Sequence, residues 1–451
     1  MVTEAVSELA LGLAERALAF AEECGPDQAE VLYMGEDSAL TRFANSEIHQ
    51  NVAESNGTLN VRMVFGTRVG VASTNRLDDE GLRRVAEGAE RISRLQAENP
   101  EFTSLPEATD ITPAPDAFHS STATSTPEAR AEAVRALIAV VEEQEVRAFG
   151  AFATSVDTIA VATTLGIRAH QVSTRAHISC VAMGGQGETG WAEAVSGDIE
   201  RLDAVALGRE AAERAARSRH PTTVEPGDYP VVLAPYAVSD VVDAIAYLGF
   251  SALAVQEERS FYERDKPIGS ALVNIVDDGH DPAGLPLAFD FEGVAKQRVE
   301  LVRDGKATDL VYDSFTAGRD GKASTGHALP APNPYGPFAI NLVMAPGDDS
   351  EEELVRGVRR GLLVTRFWYT NVVHPKRAIM TGMTRDGTFL VQDGEIVGPV
   401  RNLRFTMSYL DALAGVEAVS RERKLLRGYF TSVLVPAVRI GAFTFTGATE
   451  F

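Results

Sequence analysis

The chain is poor in cysteine, in positive charge and in long apolar runs, and each shortage closes off a class of protein. Cys24 and Cys180 are the only cysteines among 451 residues, which excludes a disulfide framework and any Cys-x-x-Cys metal knuckle and accords with a reducing compartment. Forty-two Lys and Arg stand against 64 Asp and Glu, a formal charge of −22. A field of that sign repels a phosphate backbone, so nucleic acid is not the expected partner. No window reaches the roughly 18 uncharged apolar residues that a membrane-spanning helix needs. The stretch Met1 to Glu23 carries Glu4, Glu8, Glu15, Glu22 and Glu23 among its apolar residues, unlike the basic and then apolar order of a signal peptide, so the expected location is the cytoplasm.

What remains is an ordinary globular composition, 45% hydrophobic and 24% charged, long enough for two to three domains at roughly 150 residues each. Residues 5 to 23 have the three-and-four spacing of an amphipathic helix (Val6, Leu9, Leu13, Ala17, Phe20), with Gly25 as its stop. Short strands are predicted at Ala29 to Met34, Leu40 to Ala44, Thr58 to Phe65 and Arg68 to Ser73, then a helix capped by Asp78 or Asp79 and running to Leu95. Pro, Thr, Ser and Ala dominate from Pro100 to Pro127 and mark a linker. Helix, strands and helix follow again: Pro127 to Glu145, strands between Ala148 and Met183, and a helix capped by Asp198 and ending near Arg219.

After His220-Pro221 the sequence turns strand-rich, interrupted by helices at Ser239 to Ala254 and Glu351 to Gly361. The predicted class is therefore α+β: two helix/antiparallel-sheet units, 1–112 and 113–220, then a large β-rich, barrel-like C-terminal domain, 221–451.

Residue patterns that carry chemistry are few. None of the eight histidines forms an i, i+4 pair, and His170 and His177 would face opposite ways on a strand. Gly185-Gln-Gly187-Glu-Thr-Gly190 follows a strand, as a dinucleotide loop does, but Trp191 to Ser196 reads as another strand, so no helix N-terminus waits for a pyrophosphate. Cys180 reads as a small buried residue. Asp277, Asp278, His280 and Asp281, beside Gly279, Pro282 and Gly284, read as a solvated turn. No nucleophile elbow, Ser-x-x-Lys or Walker loop is present. The residues themselves assign neither a catalytic nor a metal site.

Several segments do form a recognisable series. Near the start lie Arg42-Phe-Ala-Asn-Ser-Glu-Ile-His-Gln50, Val61-Arg62 and Gly70-Val-Ala-Ser-Thr74. Later come Asp290-Phe-Glu-Gly293, Leu301-Val-Arg-Asp-Gly305, Ser324-Thr-Gly-His-Ala328, Pro346-Gly347, Gly361-Leu-Leu-Val-Thr365 and Val391-Gln-Asp-Gly-Glu-Ile-Val-Gly-Pro-Val400. In order and spacing this series resembles the TldD/PmbA family, once described as modulators of DNA gyrase and understood as subunits of a metallopeptidase.

The resemblance implies a two-component zinc peptidase. Its TldD branch carries His-Glu-x-x-x-His on a helix after a strand, plus a C-terminal cysteine ligand; the PmbA (TldE) branch lacks the motif. Here the strand is Tyr229 to Ala234, and the motif positions fall on Asp243, Ala244 and Leu248, with no cysteine after Cys180. Alanine accepts no proton from water and leucine binds no zinc. The implied role is a non-catalytic subunit without its own cofactor, paired as a heterodimer with a zinc-bearing TldD-like chain, the pair hydrolysing unfolded or modified peptides or small peptide-like amides.

Leu248 fits the apolar stripe Val238, Val241, Val242, Ile245, Leu248 and Ala252, whereas Asp243 lies off it and is expected to be exposed. Residues to examine for a substrate path are Asp243, Tyr247, His327, Trp368, Tyr369 and His374. The alternatives are an interaction or regulatory protein without peptidase role and a free-standing hydrolase with an unrecognised site, to be sought first among Asp243, His327, Trp368, Tyr369 and His374.

Overall fold

The computed structural model describes residues 2–114, 116–428 and 431–448, with side chains from Glu8 onward. Six strands, β1 (Gln28–Ala44), β2 (Glu47–Phe65), β3 (Arg68–Thr74), β4 (Arg147–Thr163), β5 (Arg168–Met183) and β6 (Thr189–Ser196), form one antiparallel sheet in the order β3-β2-β1-β4-β5-β6. The first two helix-and-strand units thus share a sheet, joined where β1 pairs with β4 from Glu30↔Thr163 to Phe43↔Gly150. Pairs of predicted strands merge into single long ones, because cross-strand pairing carries the chain through polar stretches such as Glu36-Asp37-Ser38. The Gly-rich 185–190 segment is the hairpin between β5 and β6, closed by Gly184 N–H on the Glu188 carbonyl at 2.9 Å.

Strand alternation gives this sheet two different faces. One face buries Val31, Val61, Ala162, Ile178 and Cys180 under helices α1 (Val2–Glu23), α2 (Asp79–Leu95), α4 (Pro127–Glu142) and α5 (Ala204–Arg217); a short α3 (Ser120–Ala123) lies in the linker. Asp78 caps α2 through Gly81 N–H. Asp198 caps only a three-residue 3-10 turn, and Asp203 is the cap of α5. Burial pushes the Cys180 thiol up to about 12, consistent with an inert core residue.

The other face receives the C-terminal domain. Leu32, Val161 and Ala169 pack on Ala288 and Phe289. Beside them the Arg62 guanidinium bridges Glu30 of the sheet and Glu292 of the domain, 2.8 Å from the latter, and Glu292 also accepts from Ser314 N–H and Oγ. Asp290 accepts from the N–H groups of Glu292, Val294 and Ala328. One guanidinium among Glu30, Asp290, Glu292 and Asp313 leaves surplus negative charge in a buried place. Burial, with Glu292 nearby, pushes Asp290 up to about 8, and burial pushes Glu30 up to about 7.

The C-terminal sheet contains β7 (Gly227–Leu233), β8 (Ile275–Asp277), β9 (Val299–Arg303), β10 (Lys306–Ala307), β11 (Asn341–Met344), β12 (Arg360–His374), β13 (Ile379–Gln392), β14 (Glu395–Pro399), β15 (Leu403–Ser408), β16 (Val416–Arg427) and β17 (Ser432–Ala448). Strands β7, β12, β13, β15 and β17 pair in a ring, because β17 returns to β7. The barrel-like expectation therefore holds for five of the strands. Phe367, Phe405, Tyr409, Phe443 and Phe445 stack within the domain's core. Helix α6 (Pro235–Gly249) packs on β12 and β17. It starts earlier than the periodicity predicted, since Pro235 suits the first helical turn, and a separate helix Ala252–Gln256 follows it. Among the described residues no helix is long and apolar enough to cross a membrane.

Candidate functional site

Helix α6 is the element to which the sequence resemblance assigns the motif positions Asp243, Ala244 and Leu248, and its surroundings decide what those residues can do. Val238, Val241, Val242, Ile245 and Leu248 are buried in the domain core, so the stripe read from the sequence is the packing face. Leu248 is 4% exposed. Ala244, half-buried, packs against the same core. Asp243 is half-buried rather than exposed, because the segment entering β17 reaches over it: Thr431 Oγ1 donates to Asp243 Oδ1 at 2.7 Å.

One turn earlier lies a residue that the sequence did not single out. Asp240 accepts from Tyr409 OH at 2.6 Å and from Thr370 Oγ1 at 2.8 Å. Burial pushes its pKa up to about 6, against the pull of the two hydroxyls and with a small contribution from the charge of Asp243. Tyr247 continues this side of the helix and leans on Phe338, ring centroids 5.7 Å apart.

Thr431 also lines a cavity of about 610 Å³ between the sheet and the C-terminal domain. The cross-strand row Asn56, Glu36, Asp157 and Ser173 supplies its floor. Arg175, 3.4 Å from Glu36 and 3.6 Å from Asp157, offsets the repulsion of those two carboxylates. Asn341, Arg427 and Gly428 close the opposite side. The lining holds two cations and two carboxylates with many amide and hydroxyl groups, a surface able to hydrogen-bond a polar chain.

The other residues singled out for a substrate path do not converge here. His327 is fully buried: its Nε2 lies 2.8 Å from Asp277 Oδ1, and Lys296 Nζ lies 2.7 Å from the same oxygen. Asn341 N–H donates to Asp277 Oδ2 at 2.8 Å. Burial and the Lys296 charge hold His327 below the usual histidine range, while Lys296 and His327 hold Asp277 well below the usual carboxylate range despite burial. His327 is thus closed to any substrate, and Asp277 belongs to the core end of β8 rather than to a solvated turn; only Asp278 and its neighbours form that turn. Trp368, Tyr369 and His374 are exposed on the β12–β13 hairpin, outside the cavity.

A zinc ion requires three or four nitrogen, sulfur or carboxylate ligands around one point. Of Asp243, Ala244 and Leu248 only Asp243 carries a group able to bind a metal, and that carboxylate already accepts from Thr431. No cysteine follows Cys180. Among the described residues no group of three His, Cys, Asp or Glu is placed to hold a metal. The residues of α6 and its surroundings therefore do not fit zinc.

Known proteins supply the context for this geometry. Three family models match in succession: PmbA/TldA metallopeptidase domain 1 over residues 29–93, the central domain over 121–219 and the C-terminal domain over 226–447. The chain is 28% identical over 225 residues to a zinc metalloprotease TldD homolog of Saccharolobus solfataricus, covering 46% of this chain and 47% of that protein. It spans about half the length of that relative and of the metalloproteases of Synechocystis and Methanothermobacter that it also matches. A metalloprotease PmbA homolog of Haemophilus influenzae is 24% identical over 411 residues, 85% of each chain. In fold this chain is similar to TldE from Thermococcus kodakarensis, with a TM-score of 0.88, 20% identity, and coverage of 96% of this chain and 100% of that one.

Proposed function

The chain belongs to the PmbA/TldD metallopeptidase family, and from that premise we propose that it is the subunit of a two-component peptidase that bears no catalytic zinc. The observation that supports this reading is α6 itself: at the positions that the resemblance assigns to a general base and a ligand it carries Ala244, packed against the domain core, and Leu248, buried within it. The zinc, its activated water and the general base then come from a TldD-like partner. This chain contributes the wall of a shared chamber, including the polar cavity beside Thr431, and the pair hydrolyses unfolded or modified peptides or small peptide-like amides. The chain acts in the cytoplasm.

Co-expression with a zinc-bearing TldD-type chain, followed by size-exclusion chromatography and a peptide-hydrolysis assay, tests the proposal. The expected result is co-elution, chelator-sensitive cleavage by the pair and no cleavage by this chain alone. Independent elution at micromolar concentration, with full activity in the other chain, would favour a regulatory or interaction role instead.

A further inference from the structure

We infer that the cavity between the sheet and the C-terminal domain is a binding site of this chain for short peptides that end in an apolar residue with a free carboxylate; this rests on the peptidase reading above for the source of its ligand. At about 610 Å³ the cavity has the size of sites that enclose small organic ligands.

Its floor has two rows of opposite character, because residues two apart on a strand share a face. Beside the polar row through Glu36 and Asp157 runs a second row, Thr58, Met34 and Ile159, at the next same-face positions of β2, β1 and β4. Met34, Ile159 and Phe291 pack around one cluster of Leu32, Val161 and Phe289, so the apolar part of the lining lies together at the domain contact. All three are only half-buried. Apolar surface thus stays uncovered inside the cavity, where an aliphatic or aromatic side chain would bury it.

Two polar groups of the lining lack partners. Asn341 is held by its backbone N–H on Asp277 and by its Nδ2 on the Leu285 carbonyl, 2.9 Å away, and Leu285 itself lines the cavity. Those bonds fix the amide, and among the described residues its Oδ1 is buried without a hydrogen-bond partner. A buried acceptor of that kind is uncommon in a native protein and calls for an N–H donor. The Arg427 guanidinium pairs with no carboxylate among the described residues, whereas Arg175 is engaged by Glu36 and Asp157. Water satisfies an orphaned amide oxygen, but a free guanidinium in the same lining asks for an anion.

These demands select the ligand. Arg427 takes a carboxylate, Asn341 Oδ1 an N–H, and the Met34 and Ile159 row an apolar side chain; the last residue of a peptide carries all three. The charged groups of the lining are Glu36, Asp157, Arg175 and Arg427, two of each sign. A polyphosphate meets repulsion from the two carboxylates, whereas a zwitterion does not, and its ammonium group can donate to them. Amide hydrolysis releases a new free carboxyl end at every cut, so a peptidase supplies ligands of this class.

The test is calorimetric titration of the full chain, purified alone, with alanyl-alanyl-leucine, its C-terminal amide, alanyl-alanyl-glycine and inorganic phosphate. The leucine peptide is expected to bind, and its amide and the glycine peptide to bind about ten-fold more weakly or worse. Arg427 is exposed, so Arg427→Gln should fold, as circular dichroism would verify. It should weaken the free acid by about ten-fold and leave the amide unchanged, while Arg401→Gln, outside this cavity, should alter neither. Equal binding of acid and amide, an Arg427→Gln variant that binds as wild type does, or no binding of the acid at about 10 mM overturns the site. Displacement of the peptide by phosphate overturns the peptide assignment in favour of a general anion site. If the pair cleaves peptides while this chain binds none, the site falls and the peptidase reading stands. If this chain binds the free acid but no cleaving pair forms, the site stands and that reading falls.

Discussion

Two regions of the C-terminal domain contrast in what they hold and what they can reach. Helix α6, to which the proposed reading assigns the motif positions, approaches the cavity through the Asp243–Thr431 contact and carries alanine and leucine at 244 and 248. The Asp277, Lys296 and His327 cluster has the residue types of a catalytic set at hydrogen-bond distances, yet all three side chains are fully buried. Helix α6 lies next to a cavity-lining residue but offers no histidine or cysteine, whereas the cluster has histidine, lysine and carboxylate with no access. A site needs both, and residue types in a sequence report only one of them.

If the buried cluster is structural, removing its shared acceptor should be the most damaging change available. Asp277→Ala leaves Lys296 and His327 without their carboxylate in the core and is expected to cost about 3–5 kcal/mol in chemical denaturation. A loss below about 1 kcal/mol would mean that the cluster is more open than its contacts indicate.

On α6 the packing face should outweigh the polar face. Leu248→His removes apolar burial and places a ring nitrogen in the core, an expected loss of about 2–4 kcal/mol. The triple change Asp243→His, Ala244→Glu and Leu248→His is expected to yield no peptidase, since a third ligand and transition-state donors would still be missing. Zinc-dependent peptide cleavage by that variant would break the comparison.

The contact between sheet and domain sharpens it through pH. Asp290 and Glu30 have folded pKa values raised to about 8 and about 7. Below roughly pH 4 both the folded and the unfolded chain hold these protons, and their contribution to stability is fully present. As pH rises toward 8 the unfolded chain releases them first, so stability should fall across that window, on the order of 1–3 kcal/mol per group. Glu30→Gln should flatten the slope measured by denaturation between pH 5 and 8. Asp277, whose pKa is depressed, acts oppositely: its contribution is present above pH 4 and is lost on acidification below it.

The smallest effect is expected at Asp243. Asp243→Asn keeps an acceptor for Thr431 and should change stability by about 1 kcal/mol or less. Asp243→Ala, which leaves the Thr431 hydroxyl unpaired, should cost somewhat more.

What was legible in the sequence was whatever shows as a local period or a local cap. The stripe from Val238 to Leu248 gave the buried face of α6, Asp78 gave the start of α2, and the change of composition after His220 marked the β-rich domain. What was not legible depends on distant pairing. Nothing local shows that β1 lies beside β4, or that β2 begins at Glu47, because the polar run from Glu47 to Asn56 has no burial alternation to reveal a strand. Asp277 was hidden by the turn residues that follow it, and its burial arises only when Lys296, His327 and Asn341 arrive from elsewhere. Asp240 gave no signal, since its partners Thr370 and Tyr409 are more than a hundred residues away.

The central claim, that the zinc of this system belongs to another chain, is tested most directly by elemental analysis of this chain purified alone and dialysed, beside the co-purified pair. The account predicts zinc far below one equivalent in the isolated chain and stoichiometric zinc in the pair. Stoichiometric zinc retained by the isolated chain through dialysis would contradict it.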